Sequence, residues 1–190
     1  PANLSAFRRI VFAQKAASTL VNVSINTGGD IYFNVEDVAT VYSVFTTSPI
    51  AANTWTHVAA RWTASTQTAE ILINGVVQTT STAGRSSGGT NGIMTIGSRS
   101  NGGQHFFGMM DELRIWNTAR SNADILANYN QTVSPSSPGL ETYYKMDEGT
   151  GLTTADATAN ANTGTLLNGT SWVVPSTAPI VLLSSCTGPS

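Results

Sequence analysis

Short apolar or alternating segments run through most of the chain, and clusters of Gly, Asn, Ser and Thr separate them. Many short strands divided by turn residues are typical of a β-sandwich or β-barrel. The segments that predict strands before residue 98 are FRRIVFAQ (7–14), TLVNVSIN (19–26), DIYFNV (30–35), TVYSVF (40–45), WTHVAARWT (55–63), AEILIN (69–74), VVQTT (76–80) and IMTIG (93–97). The hydrophobic pattern therefore predicts an all-β fold.

Two neighbouring segments show a clear period of two, which places alternate residues on one face of a strand. The apolar residues on these faces are Ala69, Ile71 and Ile73 in one segment and Val58, Ala60 and Trp62 in the other. Asn74-Gly75 follows the first set, and both residues tolerate a positive φ angle, so the pair predicts a tight hairpin turn. We expect both faces to pack on a hydrophobic core.

The run FFGMMDELRIWN (106–117) carries an acidic pair inside an apolar segment, and we predict one long strand over residues 105–116. Adjacent residues of an extended strand point to opposite faces, so Asp111 and Glu112 are separated. Glu112 then shares a face with Arg114, which predicts an ion pair at the surface. Asp111 falls on the apolar side, where a lone carboxylate is costly unless loop amides or a metal ion satisfy it.

A single helix is predicted over residues 121–131. Ser121 is a suitable N-cap, with Asp124 three residues later. Ile125, Leu126 and Tyr129 form an apolar stripe at helical spacing.

The Pro/Ser-rich segment 132–139 is typical of a linker. Beyond it, residues 140–146, 164–174 and 179–183 predict further strands.

Composition narrows the classes of function. Only 11% of the 190 residues are charged, well below the roughly 25% of an ordinary domain, and the net charge is −2. The chain thus lacks the excess of Lys and Arg residues that is typical of a nucleic-acid-binding protein. Arg8-Arg9 is the only basic pair, which by itself does not indicate a site for a polyanion. No segment approaches the ~20 apolar residues of a membrane span, and no signal peptide is visible at Pro1.

Catalytic motifs are not found in the sequence. His57 and His105 are the only histidines, and they form no triad spacing, phosphate loop or HExxH motif. The two carboxyl groups of a glycosidase lie in one site. Asp111 and Glu112 are predicted to point to opposite faces, which argues against such a pair. Cys186, the single cysteine, cannot form an internal disulfide and is either an incidental thiol or one that bridges two molecules. We therefore predict a protein that is not an enzyme.

Several motifs occur together in a fixed order: WTHVAARW, ILINGV, TIGSRS and FFGMMDELRIWNTARSNADI. This set resembles the laminin-G-like or concanavalin-A-like jelly-roll family, related to pentraxins, of bacterial extracellular proteins, over roughly residues 20 to 130. The resemblance implies an antiparallel β-sandwich with one short helix. The tail GLETYYKMDEGTGLTTADATANANTGTLLNGTSWV resembles the segment that opens a module of this family.

We accordingly predict a sandwich over residues 1–131, a linker at 132–139 and a strand segment over 140–190. Three explanations for the displaced segment stay open. The chain is cut from a tandem array, or the C-terminal strands complete their own sandwich, which we slightly favour, or they complete that of a neighbouring molecule by strand addition and build a fibre.

The resemblance also suggests a structural Ca²⁺ ion, because several family members hold one in an acidic loop. Hard carboxylate, amide and carbonyl oxygens are the ligands that Ca²⁺ prefers. The corresponding candidates are Asp111, Asp156, Asn160, Asn162 and Gly164. The alternative is an Asn-rich turn whose side chains bond their own backbone.

The function that the resemblance implies is a non-catalytic recognition or adhesion module, secreted or at the cell surface, that binds a glycan or protein. The alternatives are a subunit of an extracellular fibre and, more remotely, a glycoside-cleaving enzyme of the same fold. Function on sandwiches concentrates in loops, so we predict a ligand rim at Arg85, Arg99, Asn101 and Gln104. Aromatic candidates for stacking on sugars are Tyr32, Tyr42, Tyr143, Tyr144 and Trp172, although most are more simply explained as core residues.

Overall fold

The computed structural model describes residues 7–15, 19–36, 41–82, 92–99 and 102–180. The chain divides into two compact units, Pro1–Gly108 and Met109–Ser190. No helix in the described ranges is long and apolar enough to cross a membrane.

The first unit consists of two antiparallel sheets. Its strands are β1 (Arg8–Lys15), β2 (Thr19–Ile25), β3 (Ile31–Glu36), β4 (Val41–Phe45), β5 (Val58–Thr63), β6 (Thr68–Ile73), β7 (Val76–Thr82) and β8 (Ile93–Ile96). Sheet A has the order β4-β3-β2-β1-β8, and sheet B has the order β5-β6-β7.

The core of this unit forms between the two sheets. Sheet A contributes Ile31, Phe33, Val35 and Val44, and sheet B contributes Ala69 and Ile71. Partly buried residues packed against this cluster include Val58, Ala60, Trp62 and Ile73. The predicted core faces of the two segments that became β5 and β6 are therefore confirmed.

The hairpin between β6 and β7 is confirmed as well. Asn74 and Gly75 have φ angles of 49° and 81°, the left-handed values that this short turn requires. The Asn74 side chain accepts a hydrogen bond of 2.9 Å from the His57 N–H group, which ties the turn to the start of β5.

The second unit contains β9 (Leu113–Trp116), α1 (Asn122–Asn128), β10 (Leu140–Tyr144), β11 (Thr153–Thr154) and β12 (Gly164–Thr165). Strand β10 pairs antiparallel with β9, and Leu140 lies opposite Trp116. The Pro/Ser segment 132–139 thus lies between α1 and β10, inside one unit. The predicted division of the chain at this segment stays a prediction.

The predicted long strand over 105–116 is wrong, because only Leu113–Trp116 is a strand. Glu112 has a φ angle of 54°, which lies in the left-handed region and cannot continue an extended strand. The alternation used to place Asp111 and Glu112 on opposite faces therefore does not apply to them.

The helix is shorter than predicted, and its apolar stripe is only partly buried. None of its residues is fully buried, Leu126 is 53% exposed, and Ile125 and Tyr129 are half-buried. The cap is confirmed, since the Ser121 hydroxyl accepts a hydrogen bond of 3.1 Å from the Asp124 N–H group.

The predicted C-terminal strands are also shortened. Of residues 164–174, only Gly164 and Thr165 pair as a strand. Residues 181–190, which include Cys186 and most of the predicted strand 179–183, lie outside the described residues. The prediction of an antiparallel β-sandwich with a short helix is nevertheless confirmed for the described part of the chain.

Candidate functional site

Sheet A has two chemically different faces. Residues that lie directly opposite each other on neighbouring strands share a face, so the strand pairing shows which residues lie together. One face supplies the core. In the other, Phe12 lies opposite Asn22, Asn22 opposite Asn34, and Asn34 opposite Ser43. The adjacent row joins Arg9, Ser24, Tyr32 and Phe45. These eight residues form what we call the polar face of sheet A.

The β1 end of the polar face is held by Arg9, which is only 6% exposed. Its Nη1 donates a hydrogen bond of 2.5 Å to Asn22 Oδ1, and its Nε donates one of 3.0 Å to Gln104 Oε1. The Cζ atoms of Arg9 and Arg99 lie 5.8 and 5.7 Å from the centroid of the Phe12 ring. We call Arg9, Arg99 and Phe12 the arginine end.

The loop that brings Arg99 and Gln104 to this end is fixed to β1 by backbone hydrogen bonds. Gly97 donates to the Ile10 carbonyl at 2.9 Å, and Arg9 donates to the Gln104 carbonyl at 2.9 Å. The Arg99 carbonyl accepts a hydrogen bond of 2.8 Å from the Gly102 N–H group, and the Arg99 N–H group donates one of 2.9 Å to the Gly103 carbonyl. Gly102 has a φ angle of 76°, a left-handed value that glycine adopts readily.

The β3–β4 end of the polar face is aromatic and more open. The rings of Tyr32 and Phe45 are stacked, with 5.3 Å between centroids and 24° between planes. Phe7 meets Tyr32 edge-on at 4.8 Å. Phe45 is 50% exposed, and the neighbouring Ser43 is exposed as well. We call Tyr32 and Phe45 the aromatic end.

Three buried polar atoms lie between the two ends. Asn22 Nδ2, Ser24 Oγ and Asn34 Oδ1 have no hydrogen-bond partner within the described part of the chain. Leaving such an atom unsatisfied costs roughly 1–3 kcal/mol. The polar face therefore carries hydrogen-bonding capacity that its own described side chains do not use.

Two of the four residues of the predicted rim lie at this surface, namely Arg99 and Gln104. Arg85 and Asn101 lie outside the described residues. Sequence reasoning did not single out Asn22, Ser24 and Asn34. Their signal was available in VNVSIN and YFNV, where polar residues alternate with the apolar residues of the core face.

The predicted calcium loop is organised by Asp156. Its Oδ1 accepts hydrogen bonds of 2.9 Å from the Tyr143 and Thr158 N–H groups, and its Oδ2 accepts one of 3.0 Å from Asn162. Burial alone would raise the pKa of Asp156, but these N–H groups outweigh burial and lower it. Both carboxylate oxygens thus already have N–H donors.

The remaining residues predicted to bind calcium do not all point their oxygens at one place. Asn160 and Asn162 direct their amide nitrogens at the Glu141 carbonyl oxygen, at 2.9 and 3.4 Å. Gly164 pairs with Thr154 in the β11–β12 ladder. In the described ranges, no three His, Cys, Asp or Glu side chains converge as metal ligands do. The loop presents no ready set of oxygens for Ca²⁺, and calcium binding here stays a prediction.

Asp111 is not the buried carboxylate that the sequence predicts. It accepts hydrogen bonds from the Ser176 hydroxyl and, at 2.9 Å, from the Glu112 N–H group. Glu112 does pair with Arg114, as predicted, but both side chains are only 10% exposed, so the pair is not at the surface. The Tyr143 hydroxyl also donates to Glu112. The burial of the two acids was assigned wrongly, because Glu112 leaves the extended conformation.

Tyr143 and Tyr144 are core residues, with 0% and 5% of their surfaces exposed. Trp172 donates its indole N–H group to the Gly151 carbonyl at 2.9 Å. The side chain of Tyr42 lies outside the described residues. Of the predicted aromatic candidates, Tyr32 is the one that lies on the polar face.

Similar solved structures include a candidate carbohydrate-binding protein from Bacteroides ovatus ATCC 8483, with 27% identity and a TM-score of 0.67. That similarity covers 86% of this chain and 50% of the other, so the chain spans half the length of this relative. A heptameric SAP-like pentraxin from Limulus polyphemus is 14% identical, covering 64% of this chain and 62% of the other, with a TM-score of 0.49. No curated protein matches the sequence.

The family comparison agrees with the sheet architecture. The model of the concanavalin A-like lectin/glucanases superfamily matches residues 1–126, which is more than half of the 190 residues. The match includes both sheets of the first unit, β9 and most of α1. The chain therefore belongs to the concanavalin A-like lectin/glucanases superfamily.

Proposed function

We propose that the chain is a non-catalytic glycan-binding module and that its polar face of sheet A binds the glycan. The observation that carries this proposal is the half-exposed Phe45 ring, which stacks on Tyr32 beside Asn34 and Ser43. A sugar ring offers apolar C–H groups on its faces and hydroxyl groups at its rim. Sites for such ligands combine aromatic surface with a few well-placed polar groups, which is the composition of this end.

The aromatic end is the open part of the polar face. Phe45 is half-exposed and Ser43 is exposed, whereas Phe12, Asn22 and Ser24 are at most 1% exposed. A glycan that reaches this face would therefore contact the aromatic end.

A solved relative supports glycan binding. The relative from Bacteroides ovatus is a candidate carbohydrate-binding protein. Because the similarity covers only 50% of that relative, the activity of a complete protein containing this chain is part of the proposal. We also propose that the module works outside the cell, as its glycan ligand and sparsely charged composition suggest.

The test is binding to an array of polysaccharides and oligosaccharides, followed by calorimetry with any glycan that binds. Phe45→Ala removes the stacking ring and should weaken binding about tenfold or more, because an aromatic anchor is typically worth ~2 kcal/mol. Val76→Ala is the matched control, since Val76 is 54% exposed and lies in sheet B. Equal affinity of Phe45→Ala and wild type, equal losses in both variants, or no bound glycan would overturn the proposal.

A further inference from the structure

We propose that Asn168 is a site of spontaneous deamidation, in which its side-chain amide is converted to a carboxylate. This inference is independent of the proposed glycan binding. The sequence contains four Asn-Gly pairs, and the structure describes both residues of two of them, Asn74-Gly75 and Asn168-Gly169. The fold holds these two pairs very differently, and the inference rests on that difference.

The reaction needs only the chain and water. The backbone nitrogen of the glycine attacks the Cγ atom of the preceding asparagine and forms a C–N bond. The side-chain nitrogen leaves as ammonia, with the proton that the glycine N–H group gives up. Water then opens the cyclic succinimide to either aspartate or isoaspartate. Glycine favours the first step, because it has no Cβ atom to hinder the attack.

The two described pairs start from the same backbone conformation. The φ angles are 49° and 81° at Asn74-Gly75, and they are 56° and 80° at Asn168-Gly169. An aliphatic residue precedes the asparagine in both cases. Since local sequence and starting geometry are matched, a difference in rate between the two pairs comes from the surrounding fold.

Asn74 is held firmly in its hairpin. Its Oδ1 accepts a hydrogen bond of 2.9 Å from the His57 N–H group, and its own N–H group donates one of 3.0 Å to the His57 carbonyl. Gly75, whose nitrogen would make the attack, is buried. Strands β6 and β7 pair on either side of the turn. Bringing the Asn74 side chain to the Gly75 nitrogen therefore requires the hairpin to open.

Asn168 lies in a turn with fewer contacts. The Thr170 N–H group and hydroxyl close the turn by donating to the Leu167 carbonyl at 3.2 and 2.8 Å. Asn168 and Gly169 are both exposed. Within the described part of the chain, no hydrogen bond holds the Asn168 side chain or the Gly169 N–H group. Opening of such an exposed segment costs little free energy, so the reactive geometry is accessible in the folded protein.

The product changes both the charge and the main chain of this turn. Each conversion adds one negative charge to a chain whose net charge is −2. Isoaspartate also inserts a methylene group into the main chain between Leu167 and Thr170. The short turn that these two residues close is therefore not retained in the isoaspartate form.

The experiment compares the two pairs within one protein. The folded protein is incubated at mildly alkaline pH and digested with trypsin, and mass spectrometry measures the fraction of each peptide in which an amide has become an acid. Cleavage after Lys and Arg places the four Asn-Gly pairs on separate peptides, which are 62–85, 86–99, 100–114 and 146–190. Labelling by an isoaspartyl methyltransferase detects the isoaspartate form independently.

Asn168 should react about tenfold or more faster than Asn74 in the folded protein, because only Asn74 requires the hairpin to open. In denaturant the two should react at similar rates, since the fold then protects neither. The variant Asn168→Gln should remove the product from peptide 146–190, because the longer side chain forms its cyclic intermediate far more slowly. This variant separates Asn168 from Asn160 and Asn162 on the same peptide.

Three results would overturn the inference. The first is an equal rate at Asn74 and Asn168 in the folded protein. The second is a product in peptide 146–190 that persists in Asn168→Gln. The third is an absence of reaction at Asn168 in the folded protein over a time in which it reacts fully in denaturant.

Discussion

The hydroxyl group of Tyr143 in β10 donates a hydrogen bond to the carboxylate of Glu112, the residue just before β9. Burial is the main reason that the pKa of Tyr143 rises to about 12, and the hydrogen bond to Glu112 and its negative charge add to the effect. The hydroxyl therefore stays protonated at neutral pH and remains a donor. This contact joins the strands on either side of the Pro/Ser segment.

Replacing Tyr143 with Phe should lower the free energy of unfolding by about 1–3 kcal/mol, because it leaves a partly buried carboxylate with one donor fewer. The ring is retained, so packing changes little. Chemical denaturation followed by fluorescence or circular dichroism measures the difference from wild type.

Tyr144→Phe provides the matched comparison, since the Tyr144 hydroxyl donates to the neutral carbonyl oxygen of Asn162. Hydrogen bonds to charged acceptors are worth more than those to neutral ones. Tyr143→Phe should therefore be the more damaging change. A larger loss in Tyr144→Phe would contradict the importance assigned to Glu112.

Arg114 connects the same carboxylate to the end of helix α1. Besides its ion pair with Glu112, it donates hydrogen bonds to the Asn128 carbonyl at 3.1 Å and to the Gln131 carbonyl at 2.5 Å. Carbonyl groups at a helix C-terminus lack partners within the helix. Arg114 therefore stabilises the end of a helix that has no buried residues.

Arg114→Lys keeps the charge, but a single ammonium group cannot reproduce the contacts of the two guanidinium Nη atoms. We therefore expect a loss of about 1–2 kcal/mol in the free energy of unfolding. Arg120→Lys is the control, because its ion pair with Asp124 is longer, at 3.7 Å, and more exposed. Exposed pairs of that kind are worth at most about 1 kcal/mol. Equal stability of Arg114→Lys and wild type would show that the fork is dispensable.

The parts of the fold that local chemistry determines could be predicted from the sequence. Alternation placed Ala69 and Ile71 on the core side of β6, because side-chain direction in a strand follows a period of two. Asn74-Gly75 predicted its turn for an equally local reason, the positive φ angles of both residues.

Contacts distant in sequence could not be predicted in this way. Glu112 was treated as part of an extended strand, and nothing in its immediate sequence signals its left-handed conformation. The arginine end depends on hydrogen bonds between Arg9 and Gln104, which are 95 positions apart. The alternating polar residues of β2 and β3 were visible in the sequence, but the contact between Arg9 and Gln104 was not.

The loop around Asp156 allows two tests, one of which concerns calcium. If the loop holds Ca²⁺, as the family resemblance suggests, added Ca²⁺ should raise the Tm of wild type by mass action. The same addition should leave the Tm of Asp156→Asn unchanged. A chelator titration of the wild-type protein, followed by differential scanning calorimetry, measures the change in Tm that is due to Ca²⁺ alone. It leaves the Asp156 carboxylate in place, so the effect of the ion is separated from the effect of the substitution.

The second test concerns pH. Asp156→Asn replaces one acceptor oxygen by an NH₂ group, which cannot accept a hydrogen bond from the backbone of Tyr143, Thr158 or Asn162. We expect a loss of about 1–2 kcal/mol in the free energy of unfolding at neutral pH. Because the pKa of Asp156 is lowered on folding from the ordinary value of 3.8, its stabilisation is complete above that pH and is lost as pH falls through the lower folded value.

The difference in stability between wild type and Asp156→Asn should therefore be constant above about pH 5 and should shrink on acidification. Asp124, whose pKa is also lowered, by the Ser121 hydroxyl and then by Arg120, is present in both proteins and does not affect this difference. Denaturation curves measured from neutral pH to about pH 2 provide the comparison. Parallel pH profiles would mean that the charge of Asp156 adds nothing to the turn it organises.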